Sequence, residues 1–187
     1  MPRSPHWPRG SWLGIVAFLV LGDGGMGTGG GGRPALASAQ EPAAAQGITA
    51  AHNAARAAVQ PPAREPIPPL TWSPSLAATA QAWADQCHFQ HSKKKGLGEN
   101  IFASSGQATP EEVVESWVSE KKSYNYARNR CRRGECGHYT QVVWARSLRV
   151  GCAAAKCTAN SPFGRGPWQF WVCNYDPPGN YIGERPY

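Results

Sequence analysis

Four common sequence patterns are missing from this chain, and each absence removes a class of protein. No two cysteines have the CxxC spacing that a zinc ribbon needs. No asparagine begins an Asn-x-Ser/Thr acceptor for N-glycosylation, since Pro162 follows Asn160 and Ser161. No apolar run is long enough to span a bilayer, and no nucleic-acid-binding motif is present. We therefore expect neither a zinc ribbon nor a membrane-spanning protein, and no nucleic acid as a partner.

The first residues have the layout of a secretory signal peptide. A start with several basic residues precedes an apolar stretch at 12–21, and the small residues ALASA follow at 35–39. The sequence therefore predicts a signal peptide over 1–39. The glycine-rich segment 22–32 makes this region long, so an earlier cut is the alternative. We expect residues 40–46 to form a flexible tail.

The charge of the chain is clearly positive, with a formal net charge of +7 at pH 7. Such a balance favours anionic surfaces, including cell-wall polymers and lipid head groups, through electrostatic steering rather than specific readout. The basic residues cluster at 93–95 and at 128–133. Solvated surface is the simpler interpretation of both clusters.

All six cysteines lie after residue 39. An even number of cysteines behind a signal peptide indicates three disulfides, although six cysteines allow many pairings. Spacing favours three pairs: Cys131–Cys136 within a short loop, Cys152–Cys173 between two strand-like runs, and the remaining pair Cys87–Cys157.

Apolar residues at steps of three and four predict the first two helices. The first begins near Gly47, and its His52 is expected to be a packed or capping residue rather than a ligand. The second begins at Ser75, and its apolar stripe ends at His91, which places this histidine on the inner face of the last turn. His88 falls off the stripe and is expected to be exposed.

The third helix begins with a complete capping sequence. Thr109 is the cap, a proline follows, and Glu112 stands at the third helical position. The inner stripe of this helix contains Glu120, which follows Trp117. A carboxylate in an apolar stripe is costly unless it is paired, so Glu120 is predicted to have a partner.

Two strands are predicted at 149–154 and 167–175. In the second, the even-numbered residues from 168 to 172 and the odd-numbered residues from 171 to 175 are apolar or cysteine. Apolar side chains on both faces indicate a central strand that is covered on both sides. Together with the helices, this predicts an α/β fold, a three-layer α/β/α sandwich around a small sheet.

The stretch GHYTQVVW at 137–144 joins a histidine to a short helix with an apolar face. Its first glycine lets the backbone turn just before the imidazole of His138. Three further polar residues stand where a core disfavours them, namely His91, Glu99 and Glu120. We expect these three residues to converge on His138.

These residues also carry a resemblance to a known family. CGHYTQVVWARSLRVGC and FWVCNYDPPGNYIGERPY are similar to the two C-terminal signatures of the CAP superfamily, which groups cysteine-rich secretory proteins, antigen five and plant pathogenesis-related group-one proteins. AHNAARAAV, LTWSPSLAATAQAWADQC, the HS and GEN motifs at 91–92 and 98–100, and WVSEKKSYNY match in the family's order. The ending PPGNYIGERPY resembles the plant branch, and the charge resembles its basic type. The resemblance covers 47–187 and implies the same α/β/α sandwich, with a mainly antiparallel sheet.

The resemblance implies that His91, Glu99, Glu120 and His138 line a central cleft. In the family, the histidine pair can hold a divalent metal, commonly zinc, so His91 and His138 are predicted metal ligands that the fold does not require. Two histidines alone make a weak zinc site. The alternatives are two structural His–Glu pairs or a hydrolytic centre. No nucleophile has a dedicated base, because Ser92 is more simply a helix-end cap, and we expect no enzyme.

The resemblance also implies two functions. Family members bind sterols and other lipids, and the aromatic segment 124–126 is a candidate contact, although Tyr124 has the spacing of a core residue. Plant members can release a C-terminal signalling peptide, which here would be 177–187, cut between Asp176 and Pro177 by a protease. The simpler interpretation of this segment is a tail that packs on the domain. The lysines at 93–95 and the long hairpin at 160–166 depart from the plant pattern.

The sequence therefore predicts a secreted, monomeric plant defence protein that acts at the cell wall or in the apoplast. Its expected action is antifungal or anti-oomycete, by sterol or lipid binding, with a second role as a peptide precursor. A metal-dependent hydrolase and a structural wall protein are the alternatives.

Overall fold

The computed structural model describes residues 40–187, and the predicted signal peptide lies outside the described residues. The helices are α1 (Ile48–Ala57), α2 (Pro74–Ala84), α3 (Pro110–Ser119) and α4 (Gly137–Val142). The strands are β1 (Thr71–Trp72), β2 (Gly98–Ser104), β3 (Tyr124–Asn125), β4 (Arg130–Cys131), β5 (Arg149–Cys157) and β6 (Trp168–Asp176). None of the helices in this part of the chain has the length and apolar character to cross a membrane.

Four of the strands form one sheet in the order β1-β5-β6-β2. The pairs β5–β6 and β6–β2 are antiparallel, and the two-residue β1 runs parallel to β5. Residues of α1, α3 and α4 pack against one face of this sheet, and residues of α2 pack against the other. The structure confirms the predicted α/β/α sandwich with a mainly antiparallel sheet.

The alternation in β6 explains why this strand is central. Trp168, Phe170 and Val172 join the core under α2. Trp171 and Tyr175 join the core on the opposite face. Both sets are buried, as the apolar pattern on both faces predicts.

The three disulfides are those that spacing favours: Cys87–Cys157, Cys131–Cys136 and Cys152–Cys173. Cys152 and Cys173 are directly opposite each other in the β5–β6 register. Cys131–Cys136 ties the end of β4 to the residue before α4, so it fixes the backbone that leads into His138.

The second helix is shorter than the apolar stripe predicts. It ends at Ala84, because Cys87, which is bonded to Cys157, has φ 49 and a left-handed backbone cannot continue an α-helix. His91 therefore lies in the loop between α2 and β2, not in a last helical turn, and Ser92 caps no helix. His88 is exposed, as predicted.

The segment 40–46 is not a flexible tail in the structure. Ala43–Ala45 form a 3-10 turn, and Ala45 is 1% exposed. The carboxylate of Glu41 accepts hydrogen bonds from the backbone N–H groups of Gly47 (2.6 Å) and Thr49 (2.9 Å). These bonds satisfy free N–H groups at the start of α1, which anchors the segment.

The third helix has the predicted capping box, with Thr109 and Glu112 bonding each other's backbone. It ends at Ser119, and a 3-10 turn at Glu120–Lys122 follows. Glu120 is therefore the C-terminal cap of α3, and its half-buried side chain points to a neighbouring helix rather than into the core.

Candidate functional site

Glu120 holds the imidazole of His138. The Nδ1–H of His138 donates to Oε1 of Glu120 at 2.7 Å. The other carboxylate oxygen accepts the backbone N–H groups of His138 (3.0 Å) and Tyr139 (3.2 Å). Because Glu120 binds both the ring and the backbone of the first turn of α4, the orientation of His138 is fixed.

A second pair, His91 and Glu99, has the same design. The Nδ1–H of His91 donates to Oε1 of Glu99 at 2.8 Å, and the backbone N–H of Ser92 donates to the same oxygen at 2.8 Å. The side chain of Glu99 is only 9% exposed, whereas that of His91 is 53% exposed. The loop histidine therefore lies over a buried carboxylate at the start of β2.

The two pairs lie side by side, as the sequence predicts. The rings of His91 and His138 stack with centroids 6.4 Å apart and planes 27° apart. Trp117 also stacks on His138, at 6.3 Å and 15°. Each imidazole donates its Nδ1 proton to a carboxylate, so each Nε2 keeps its lone pair for another partner.

Hydrogen bonds keep both carboxylates of these pairs ionised. Burial alone would raise the pKa of Glu99, but bonds from His91 and Ser92 outweigh burial and lower this pKa. Burial likewise opposes the lowered pKa of Glu120, and the hydrogen bond and charge of His138 together with the backbone N–H groups of His138 and Tyr139 outweigh it. The hydrogen bond to Glu99 raises the pKa of His91.

A cleft of about 440 Å³ opens above the two imidazoles. It is lined by His91, Glu99, Asn100, Cys131, Gly134, Glu135, Cys136, Gly137, His138 and Asn180. Neither lysine nor arginine lines it, so the basic run at 93–95 is exposed outside the cleft.

Glu135 and Asn180 also line the cleft, and no sequence pattern predicted either residue. Ligand atoms of Glu120, Glu135 and His138 lie within 4.8 Å of one another. Glu135 belongs to no helix or strand, so no periodic pattern indicates its position. Its place between Gly134 and Cys136 is the only sequence signal near the cleft. Asn180 belongs to the C-terminal segment and donates from its side chain to the carbonyl of Gly137 at 2.9 Å.

The donor set of the cleft fits a divalent cation. Two imidazoles with free Nε2 atoms and nearby carboxylates are ordinary zinc ligands. In addition, Oε2 of Glu99 is buried and has no hydrogen-bond partner in the part of the chain that the structure describes. The group of ligand atoms within 4.8 Å of one another contains His138 but not His91. This group and the predicted histidine pair therefore share only His138.

The structure gives Ser92 no base. Its Oγ accepts the backbone N–H of Lys94 at 3.2 Å, while His91 is bonded to Glu99. A serine nucleophile needs an imidazole within hydrogen-bonding reach of its oxygen. Ser92 therefore closes a loop turn and forms no Ser–His pair.

The segment 177–187 packs along the domain. The hydroxyl of Ser147 donates to the carbonyl of Pro177 at 2.8 Å. The backbone N–H of Ala145 donates to the carbonyl of Pro186 at 2.7 Å. Pro186 is buried. The interpretation of this segment as a packed tail is confirmed, and its release as a peptide stays a prediction.

Tyr126 is the member of the aromatic segment that contacts this tail. Its ring stacks on Tyr187 with centroids 4.7 Å apart, and its hydroxyl donates to the carbonyl of Tyr187 at 2.6 Å. Tyr124 instead packs near Tyr139 and donates to Asn129. Of these two tyrosines, Tyr126 lines the surface groove between the connector after α1 and the C-terminal segment, and Tyr124 does not.

Comparisons with known proteins identify the family. The family model described as "CAP: Cysteine-rich secretory protein family" matches residues 49–175. The chain belongs to the CAP family. Its CAP domain is 44% identical over 147 residues to pathogenesis-related leaf protein 4 of Solanum lycopersicum, covering 76% of this chain and 82% of that protein. It is also 44% identical over 140 residues to the basic form of pathogenesis-related protein 1 of Nicotiana tabacum, covering 73% and 71%.

A solved structure of NaASP2 with Zn²⁺ has the same CAP fold, with a TM-score of 0.63 and 28% identity over 77% of this chain and 84% of that one. The plant relatives support a pathogenesis-related defence protein, and together with the three disulfides they support secretion. These likenesses do not test the metal role of His91 and His138 in this CAP protein, which stays a prediction.

Proposed function

We propose that this protein is a secreted defence protein that acts on fungi or oomycetes by binding a sterol or another lipid. The observation that carries the proposal is a groove of about 850 Å³ beside the aromatic segment. Proline residues of the connector between α1 and β1 line one side of it, and Tyr126 and Tyr187 line another. The proline rings and tyrosine faces are apolar, so they suit the flat ring system of a sterol.

Charged groups at the groove favour an amphipathic ligand. Arg64, Arg146 and Arg185 contribute to its lining, together with one acidic residue, Glu65. The guanidinium of Arg185 lies 5.6 Å from the centroid of the Tyr126 ring. A hydroxyl or anionic head group can bond to arginine while the apolar body lies on tyrosine and proline. The positive net charge adds steering toward anionic membranes and wall polymers.

Sterol binding by oxidised protein 40–187 tests this proposal. We expect saturable binding, and we expect Tyr126→Ala to weaken it by about tenfold or more, because loss of a buried aromatic contact costs on the order of 2 kcal/mol. Tyr181→Ala is the matched control, since Tyr181 is 48% exposed and does not line the groove. Growth inhibition of a sensitive fungus should be relieved by added sterol.

Two results would contradict lipid capture in this groove. One is the absence of saturable binding by the parent chain. The other is an equal loss of binding in the Tyr126 and Tyr181 variants while near-UV circular dichroism stays unchanged. If an activity depends on His138 while lipid binding does not, the metal-dependent hydrolase gains support. No binding and no peptide release together would favour a structural wall protein.

The cleft adds a second component to the proposal, reversible binding of a divalent cation such as zinc. His91 and His138 would hold it through Nε2, and Glu99 and Glu120 orient the two rings from behind. When bound, the cation supplies a positive charge that attracts anionic groups to the cleft. We do not expect the fold to depend on it, because each imidazole already bonds to a carboxylate without it.

We also propose that segment 177–187 is a precursor peptide, but one that the native fold protects. A protease needs several residues of extended, accessible chain around the bond that it cuts. Cys173, Asn174 and Tyr175, just before the Asp176–Pro177 bond, are at most 1% exposed in the central strand β6. Asp176 also forms an ion pair with Arg149 of β5. Cleavage therefore requires local opening of the sheet.

Limited proteolysis checks this protection. We expect cleavage after Asp176 to be at least ~10-fold slower in the native protein than in a synthetic peptide of residues 170–187 with the same bond. A cut chain should keep its tail bound, through contacts such as Gly179 with Gln141, until denaturant is added. Equal cleavage rates, or immediate release of the peptide from a native cut chain, would contradict the protection.

A further inference from the structure

We infer that Glu135 is a third protein ligand of a zinc ion in the cleft, together with His138 and His91. The inference rests on the proposal above that this cleft binds a divalent cation. It changes the character of the site, because two histidines alone hold zinc weakly, whereas two histidines and one carboxylate form an ordinary three-ligand zinc centre.

The hydrogen bonds separate the role of Glu135 from that of Glu120. Both carboxylate oxygens of Glu120 are occupied by His138 and the backbone of Tyr139, so Glu120 orients the imidazole. Within the described residues, the carboxylate of Glu135 accepts no hydrogen bond and forms no ion pair, and it is exposed to the cleft. It lies within the 4.8 Å group that contains a ring nitrogen of His138, whereas the exposed His91 lies outside this group and would have to move toward the ion to complete the site. Glu135 is thus the carboxylate that is free to bind a cation.

The charge of the cleft points to a cation as well. Glu99 and Glu135 both line it, and no lysine or arginine does. Oε2 of Glu99, on a side chain that is only 9% exposed, has no hydrogen-bond donor among the residues that the structure covers. A buried oxygen without a donor costs on the order of 1–3 kcal/mol. A cation, or water bound to it, would satisfy this oxygen.

The backbone around Glu135 gives the ligand a fixed position. Cys131–Cys136 closes a loop with a sequence separation of five, and Glu135 is the residue before the second cysteine. Gly137 and His138 follow at once in α4. The disulfide therefore fixes Glu135 and His138 to the same short piece of backbone, which preorganises the pair. Two imidazoles and one carboxylate favour zinc over magnesium, which prefers oxygen ligands alone.

Zinc titration of oxidised protein 40–187 by calorimetry tests the inference. We expect Glu135→Gln to weaken the Kd for Zn²⁺ by about 10-fold or more. Glu115→Gln is the matched control, because it makes the same charge change on an exposed residue of α3 outside the cleft, and we expect a Kd within about twofold of the parent. Mg²⁺ should bind much more weakly than Zn²⁺. Near-UV circular dichroism checks that each variant is folded.

The outcomes separate this inference from the wider proposal. If the parent chain binds zinc, His138→Gln abolishes binding and Glu135→Gln binds as the parent does, Glu135 is not a ligand and only this inference is overturned. If the parent chain binds no zinc, the cation-binding proposal falls with it, whereas lipid binding is measured separately. X-ray absorption of the zinc complex gives a second readout, since the parent and the Glu135→Gln variant are expected to differ in their oxygen neighbours, and identical spectra would contradict the assignment.

Discussion

Replacing Arg56 with methionine is expected to lower the free energy of unfolding by about 3–5 kcal/mol. Arg56 is 2% exposed and has no carboxylate partner in the described structure. Its guanidinium donates instead to backbone carbonyls, and burial lowers its pKa only to about 10, so it remains charged. The carbonyls within 3.0 Å belong to Pro68, Val142, Trp144 and Ser147. Methionine keeps the apolar stem but removes the guanidinium donors from these carbonyls, of which Trp144 still accepts the backbone N–H of Ser147 at 3.0 Å.

Urea unfolding of the parent and variant chains measures this loss. Arg64→Met is the matched control, because it removes the same charge from an exposed residue of the connector, and a change within about 0.5 kcal/mol is expected. The loss of unfolding free energy in Arg56→Lys should lie between the losses in these two variants. Lysine has three donors on one nitrogen and cannot reach carbonyls in several directions. Equal losses in the Arg56 and Arg64 variants would show that the carbonyl contacts contribute little.

Arg56 also connects the stability of the fold to the position of the cleft. It belongs to α1 but bonds the connector at Pro68 and the carbonyls at and just after the C-terminal end of α4. The helix α4 carries His138 at its other end. A variant that loosens these contacts is therefore expected to weaken metal binding without touching a ligand.

Periodicity predicted the elements that pack across the sheet. The two apolar faces of β6 required cover on both sides, and the capping sequence at Thr109 fixed where α3 begins. Both features depend only on neighbours within one element. They are therefore accessible from the sequence alone.

The sequence predicted the four residues of the two His–Glu pairs, but not how the chain holds them or the other residues that line the cleft. His91 was placed on an inner helical face, whereas it lies in a loop and is held there by Glu99. The left-handed backbone at Cys87, which ends the helix early, has no periodic signature. His91, Glu99, Glu120 and His138 could still be predicted, because burying an unpaired polar side chain is unfavourable in any element. This free-energy cost does not depend on which helix, strand or loop carries the residue.

Glu135, Asn180 and Tyr187 could not be predicted by the same reasoning. Each lies in a loop or in the C-terminal segment, and its position depends on contacts that are distant in sequence. The disulfide of Cys136 places Glu135, and Thr140 and Gly137 hold the side chain of Asn180. Irregular segments have no periodic pattern of apolar residues, so the sequence does not predict the path of their backbone. The surroundings of the cleft therefore emerge only from the folded chain.

Acidification is expected to destabilise this fold through His52. Its ring is fully buried, with Nδ1–H donating to the carbonyl of Ile48 at 2.7 Å and Nε2 accepting from the hydroxyl of Tyr175 at 2.8 Å. Burial lowers its pKa from 6.5 to about 4, and the nearby charge of Arg56 lowers it further while Glu41 and the bond to Ile48 oppose the shift. Between these two values the unfolded chain binds the proton and the folded chain does not. The free energy of unfolding should therefore fall by roughly 3 kcal/mol from pH 6.5 to pH 4.

The variant His52→Gln isolates this effect, because glutamine can bond the same two partners and does not titrate. Glu99 and Glu120, whose pKa values are lowered, also lose their contribution as pH falls, but they are present in both proteins and cancel in the difference. Urea unfolding at pH 7, 5.5 and 4 should give a stability difference that moves in favour of the variant by roughly 3 kcal/mol. His88→Gln, at an exposed histidine, is expected to follow the parent curve. Parallel curves for the parent and the His52 variant would mean that the buried ring is not the group that couples folding to protons.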